Sequence, residues 1–218
     1  MVAQITEGTA FDKDGRPFRR RSYLPGILLL VALSVVTLTV WVIALNQPVD
    51  VEQTAACNPP PPPADPNTPP TALGERVTRS QMIDVTPAKL ADTTIRVLNA
   101  SGQGGQAAEV AGALRDLGFS EPSAANDPVY ASARLTCQGQ IRFGPSGRAA
   151  AAAVWLVAPC TELFEDERSD DTVDLAIGTE FSDLSRSDDI EAVLASLRPD
   201  ATQAADPELL KKIHTGAC

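Results

Sequence analysis

Leu24 to Leu45, twenty-two consecutive residues without a charge, dominate the hydropathy pattern of the chain. At about 1.5 Å per residue a helix of this length reaches roughly 33 Å, enough to cross a hydrocarbon core. Tyr23 and Trp41 stand near its two ends, where aromatic rings favour the membrane interface. Beyond this run the pattern changes to short amphipathic segments. Thr93–Asn99 (TTIRVLN) has the β-branched alternation of a strand. Ala107, Val110, Ala111, Leu114 and Leu117 then recur at helical spacing, with Gly118 as the stop. Residues 119–137 are irregular, with room for one weak strand. Gly139–Gly144 (GQIRFG) is a second clear strand, and Ala150, Ala153, Val154 and Val157 form a second helical stripe that Pro159 ends. Thr172–Gly178 (TVDLAIG) is a third strand. Ile190, Val193, Leu194 and Leu197 mark one closing helix; Asp206-Pro207 caps another through Leu209, Leu210 and Ile213.

The order strand–helix–weak strand–strand–helix–strand predicts a small two-layer α/β sandwich. It is split βαβ-like, with three to four strands, helices on one face and extra C-terminal helices, preceded by a single transmembrane helix. Right-handed crossovers are expected to put both helix N-termini on one edge of the sheet. Four regions follow: a disordered cytoplasmic tail (1–22), the transmembrane helix (23–45), a Pro-rich linker (46–72) and an extracytoplasmic α/β domain (73–218, core 94–181). Within the linker, Asn58–Pro70 (NPPPPPADPNTPP) reads as a polyproline II spacer, a plain tether rather than a docking site.

Charge settles the expected orientation. Before position 22 five basic residues, three of them consecutive arginines, face three acidic ones, leaving +2; the remainder holds 13 basic against 25 acidic, a net of −12. Positive charge before the span and acid after it place the tail in the cytoplasm and the domain outside. The acidic domain lacks the clustered Lys or Arg that a nucleic-acid backbone needs, so nucleic acid is not expected as a partner. No A-x-A pattern follows the apolar run closely, and Thr54–Cys57 (TAAC) lies a dozen residues beyond it without the Leu of a lipoprotein box. An uncleaved single-pass anchor is the reading.

All four cysteines, Cys57, Cys137, Cys160 and Cys218, fall on the expected outer side. None has C-x-x-C spacing and His214 is the sole histidine, which argues against a zinc site and for two disulfides with three possible connectivities. A crossover helix returns so that its end lies beside the start of the preceding strand. The expected pairs are therefore Cys137–Cys160 and Cys57–Cys218, each stabilising by roughly 3–5 kcal/mol on the loop-entropy view.

Candidate chemistry concentrates at the glycine turns. Gly102–Ala107 (GQGGQA) fits G-x-G-x-x-[GA], the spacing that cradles a dinucleotide pyrophosphate. The ribose-binding acid expected about 20 residues on would have to be Glu121, which sits in turn-rich sequence, and no Walker lysine follows the glycines. Neither nucleotide reading holds, and no cofactor is expected. A weaker reading survives: a ligand groove formed by Asn99, Ser101, Gly102, Gly104, Gly105 and Gln106 from the first turn. Gly144, Ser146, Gly147 and Arg148 from the second would complete it, with Arg148 its cation. Against it stands the plain alternative that these glycines serve positive φ and close packing.

Other features favour structural roles. Trp155 reads as core rather than a sugar-stacking platform. The run Glu165, Asp166, Glu167, Asp170, Asp171 lacks the D-x-[DN]-x-[DN]-G calcium pattern, so no metal is expected. His214 reads as an exposed helix-end residue, and with no G-x-S-x-G no hydrolase triad is credible.

Read together, VLNASGQGGQAAEVAGALRDLGF, IRFGPSGRAAAAAVWLV and VDLAIGTEF resemble the LytR C-terminal domain over residues 94–181. In LytR–CpsA–Psr proteins this module accompanies a phosphotransferase domain that attaches glycopolymers to peptidoglycan, for which this chain leaves no room. The resemblance implies a noncatalytic, membrane-anchored envelope protein that binds a cell-wall glycan, a lipid or a protein partner. The alternatives are a subunit or scaffold of an envelope-biosynthesis complex, and an enzyme acting on phosphorylated envelope intermediates through Arg148. The weak second strand and the four cysteines depart from the module's general pattern.

Overall fold

The computed structural model describes residues 23–46, 56–63 and 71–216, together with Asp14, Asp65, Asn67 and Pro69. Two units emerge, one ending at Val49 and one beginning at Asp50. In the first, helix α1 (Leu24–Asn46) has a mean hydropathy of 2.3 over Leu24–Val42 and exposes its side chains there, as a candidate transmembrane span does. Its hydroxyl side chains are satisfied internally. The hydroxyls of Ser34, Thr37 and Thr39 donate to the carbonyls of Leu30, Leu33 and Val35 at 2.9, 2.8 and 2.8 Å. Such back-bonding leaves none of these three hydroxyls open toward a hydrocarbon medium.

The second unit is a six-stranded sheet with helices on one face. Its strands are β1 (Glu75–Val77), β2 (Ile95–Asn99), β3 (Ser123–Asn126), β4 (Gly139–Phe143), β5 (Glu162–Glu165) and β6 (Val173–Ile177), in the order β1-β5-β4-β6-β2-β3. Two βαβ units build it. Strands β2 and β3 are parallel around α3 (Gln106–Asp116), and β4 and β5 are parallel around α4 (Arg148–Val157). Between them β6 pairs parallel with β2 and antiparallel with β4. Strand alternation sorts the side chains. Ile95, Val97, Ile141, Phe143, Leu175 and Ile177 join the core beneath the helices, whereas Leu98, Ala100 and Ala176 join a small cluster on the other face.

Helix α3 ends as its sequence predicts, in a Schellman turn at Gly118: the Phe119 N–H donates to Leu114 O at 3.2 Å and the Gly118 N–H to Arg115 O at 2.9 Å. Helix α4 is buried along Ala150–Val157, because the short α2 (Arg79–Met82) and α6 (Pro207–Thr215) flank its outer side. Helix α5 (Asp188–Ser196) is capped by Ser187, whose Oγ accepts from the Ile190 N–H at 3.2 Å.

Several expectations are corrected. The sheet has six strands, not three to four: β1 has three residues and β5 (ELFE) four, too short for a periodicity to register. The weak strand is real and is β3, at the sheet edge between Pro122 and Pro128. The two helix N-termini do not share an edge. Asn99 and Gly139 both align with Ile177, while Ile95 and Phe143 both align with Val173, so β4 runs opposite to β2. The first glycine turn therefore lies at one end of the sheet and the second at the other. The crossover rule constrains each βαβ unit separately and leaves their mutual direction open.

The disulfide pairing is corrected as well. Cys57 is bonded to Cys137, with 5.0 Å between their Cα atoms and 80 residues of separation. Cys160 is disulfide-bonded too, but not to Cys137, and Cys218 lies outside the described residues. Because β4 is reversed, Cys137 sits at the sheet end where the incoming tether arrives. The Pro-rich segment accordingly begins as part of the folded unit. Pro60, Pro61 and Pro63 are half-buried while Pro59 and Pro62 are exposed, the three-residue period of polyproline II.

His214 is buried, not exposed. Its ring stacks on Trp155 with centroids 3.7 Å apart, and Trp155, fully enclosed, donates its indole N–H to Pro159 O at 3.2 Å. Arg79 covers the pair, donating to Pro159 O and His214 O at 2.9 and 3.2 Å. Burial, with the Arg79 charge beside it, pushes the imidazole down to about 4, so it is neutral at pH 7.

Candidate functional site

The first glycine turn is held together by its own side chains. Asn99, the last residue of β2, accepts from the backbone N–H groups of Ser101 and Gly102 at 3.2 and 3.1 Å and donates to Gln103 O at 2.6 Å. The Oγ of Ser101, fully buried, accepts from the Gln103 N–H at 3.0 Å and lies 2.5 Å from Gln106 Oε1. Gln106 in turn donates to Phe181 O at 3.1 Å. The Asn99 carboxamide thus takes up two N–H groups of the turn and one of its carbonyls, so the turn is braced from within. Gly102 and Gly105 have φ of +77° and +85°, so the turn itself requires them.

Two clefts open on either flank of this turn. One, of about 510 Å³, lies at the ends of β2 and β3, between Asn99, Gly102 and Gly104 on one side and Asn126, Tyr130 and Arg134 on the other. Its far wall is the segment 127–137, which the tether pins. Asn58 donates to Arg134 O at 3.0 Å, accepts from the Thr136 N–H at 2.6 Å through its side chain, and accepts from the Tyr130 hydroxyl at 2.7 Å through its carbonyl. The Cys57–Cys137 bridge closes the same seam. Behind it Asp127 and Arg142, both buried, pair at 2.9 Å, and Arg142 lies over the Tyr130 ring at 5.7 Å. Burial raises the Tyr130 pKa, keeping the hydroxyl a donor. The second cleft, about 560 Å³, lies between α3 and the segment after β6 and is lined by Gln103, Gly104, Gln106, Asp183 and Arg186.

The second turn forms no part of this region. Gly144 and Gly147 lie under the backbone of Arg168 and Asp171, so both are packing positions, and Ser146 is exposed beside them. Arg148 pairs with Glu165 at 2.8 Å and donates to Gln81 O at 3.3 Å. The acidic run is engaged similarly. Asp166 meets Arg168 at 2.6 Å, and although burial raises its pKa, the Arg168 hydrogen bonds outweigh this and hold it below the usual carboxylate range. Asp170 accepts from the Thr172 N–H at 2.9 Å, which lowers it too.

Of the expected groove, then, Asn99, Gly102, Gly104 and Gln106 line clefts, Ser101 and Gly105 shape the turn between them, and the four residues of the second turn lie at the far end of the sheet. Residues missed from sequence are Asn126, Tyr130, Arg134, Asp183 and Arg186. Asn126 ends the short edge strand β3, and the other four come from irregular segments whose only signal is isolated arginines in an acidic domain.

The profile of the LytR cell envelope-related transcriptional attenuator family matches residues 92–181. The cell envelope integrity protein Cei of Mycobacterium tuberculosis (strain ATCC 25618 / H37Rv) is 64% identical over all 218 residues, covering 100% of both chains. The chain belongs to the LytR C-terminal family. A crystal structure of the soluble domain of a conserved hypothetical secreted protein from Mycobacterium marinum is also similar. It is 68% identical, with a TM-score of 0.67, over 68% of this chain and 100% of that one. These matches support an envelope-related role, and the family segment spans β2 through β6, including the first glycine turn and the 510 Å³ cleft; Asp183 and Arg186 of the second cleft lie beyond it.

Proposed function

We propose that this chain is a noncatalytic, single-pass membrane protein whose extracytoplasmic domain holds an envelope component at the first glycine turn. One observation carries the reading: the tether joins the domain at the wall of the 510 Å³ cleft, through Cys57–Cys137 and the three Asn58 contacts. In the chain, ten residues, 47–56, separate α1 from Cys57. The disulfides and the arginines before the span support an outward-facing domain. A passive role is supported by the lone histidine, which is stacked against Trp155 away from either cleft. With Arg148 ion-paired at the other end of the sheet, the phosphotransfer alternative loses its cation.

The full chain in phosphatidylcholine nanodiscs, exposed to fractionated envelope glycans, lipids and solubilised envelope proteins, tests this. Retention of a glycan or lipid supports the reading. Retention of proteins alone replaces it with the scaffold alternative, and turnover of any phosphorylated intermediate overturns the noncatalytic role.

A further inference from the structure

Gly104 borders both clefts, yet nothing in the fold asks for glycine there. Its backbone is outside the left-handed region, and a Cβ on it would meet no atom within 4 Å. Its neighbours differ. Gly102 and Gly105 have positive φ, and a Cβ on Gly102 would stand 3.1 Å from Arg134 Nε. A glycine without a conformational or packing reason lowers local rigidity. What it does provide is a border without a side chain, at the one residue that lines both the 510 Å³ and the 560 Å³ cleft.

The two arms differ in charge. In the first, Arg134 is exposed, lies across Gly102 and forms no ion pair among the described residues; Asp127, in the wall, is committed to Arg142. That arm is positive. In the second, Arg186 is outnumbered by Glu109 and Asp183, with Gln103 and Gln106 beside them. Carboxylates accept from sugar hydroxyls and repel anions, while carboxamides both accept from and donate to such hydroxyls.

We propose that the two clefts form one polarised channel for a phosphorylated oligosaccharide, its phosphate at Arg134 and its neutral sugars crossing Gly104 toward Gln106 and Asp183. This deepens the glycan-binding reading above and rests on it. Each arm lies within the roughly 300–1,000 Å³ of a ligand site, and the pair suits an extended molecule. The same chemistry could arrive as a lipid-linked glycan or as a wall polymer.

Binding is measured with the full chain in phosphatidylcholine nanodiscs. The probes are maltopentaose, maltopentaose 1-phosphate, and the latter esterified to a lipid in vesicles. Wild type is expected to bind a phosphorylated probe about tenfold more tightly than the neutral one, the value of a charge-assisted contact. Arg134→Gln is expected to abolish that preference while keeping neutral binding. Gly104→Leu is expected to weaken all probes by about tenfold or more with an unchanged melting temperature, Gly104→Ala by less, and Gly112→Ala, on α3 outside both clefts, not at all. Binding of the vesicle probe alone assigns the ligand to the membrane, and binding of the free probe to the wall. Wild-type affinity in folded Gly104→Leu overturns the channel and leaves glycan binding standing. Failure of wild type to bind any probe overturns both.

Discussion

The two βαβ units use the same local grammar, a strand, a glycine turn and an Ala-rich helix, and arrive at opposite fates. In β2-α3-β3 the turn stays at the surface, braced by Asn99 and Ser101 and flanked by two clefts. In β4-α4-β5 the turn is covered by the 166–171 loop, its arginine is paired with Glu165, and the helix is buried along its length. The same motif is a surface in one place and a packing joint in the other. What differs is what the rest of the chain lays upon it: α2 and α6 over α4, and only the edge of the solvent over α3's outer face.

Replacing Trp155 with Ala should break the comparison most severely. It empties the layer between α4 and α6, unstacks His214, and is expected to cost about 4 kcal/mol in denaturant unfolding. No substitution on the outer face of α3 should approach this.

The buried unit should also carry a pH signature. His214 is held down to about 4 in the fold against about 6.5 when unfolded, so the unfolded chain binds the extra proton between those values. Stability is then full above pH 6.5 and declines as pH falls toward 4, by up to about 3 kcal/mol at the low end. His214→Phe keeps a stacking ring without a titrating nitrogen. The difference between its stability–pH profile and that of wild type should trace this decline, and parallel profiles would refute it.

On the open unit the decisive lever is the tether. Cys57→Ser should destabilise the domain by about 3 kcal/mol through the released 80-residue loop, and should loosen the 127–137 wall. Faster hydrogen exchange at Tyr130–Thr136 would register the latter. Non-reducing peptide mapping of the wild type should join Cys57 to Cys137, and any Cys137–Cys160 peptide would contradict the fold.

The smallest effect is the sharpest discriminator. Arg148→Ala removes a partly exposed ion pair worth at most about 1 kcal/mol and should leave ligand retention untouched. Loss of retention in that variant would return the candidate site to the second turn.

Much of this architecture was legible in advance because it is periodic. The stripe Ala107, Val110, Ala111, Leu114 marks α3, and the alternation through Val97 marks β2, since burial on one face writes itself into residue spacing. Strands β1 and β5 were not legible, being too short to show a period. Nor was half of the candidate site. Arg134 and Arg186 sit in irregular segments, where nothing local tells which cleft a side chain will border.

By itself, then, the sequence determined the apolar span, the two strand–turn–helix units, the glycine turn with positive φ and the caps. All of these follow from residues within a few positions of one another. Only the tertiary structure decided that β4 opposes β2, that Cys57 meets Cys137, that His214 goes beneath Arg79 and that the two glycine turns part company. These depend on contacts between segments about 30 to 135 residues apart, whose pairing is chosen by the packing of the whole sheet rather than by any local preference.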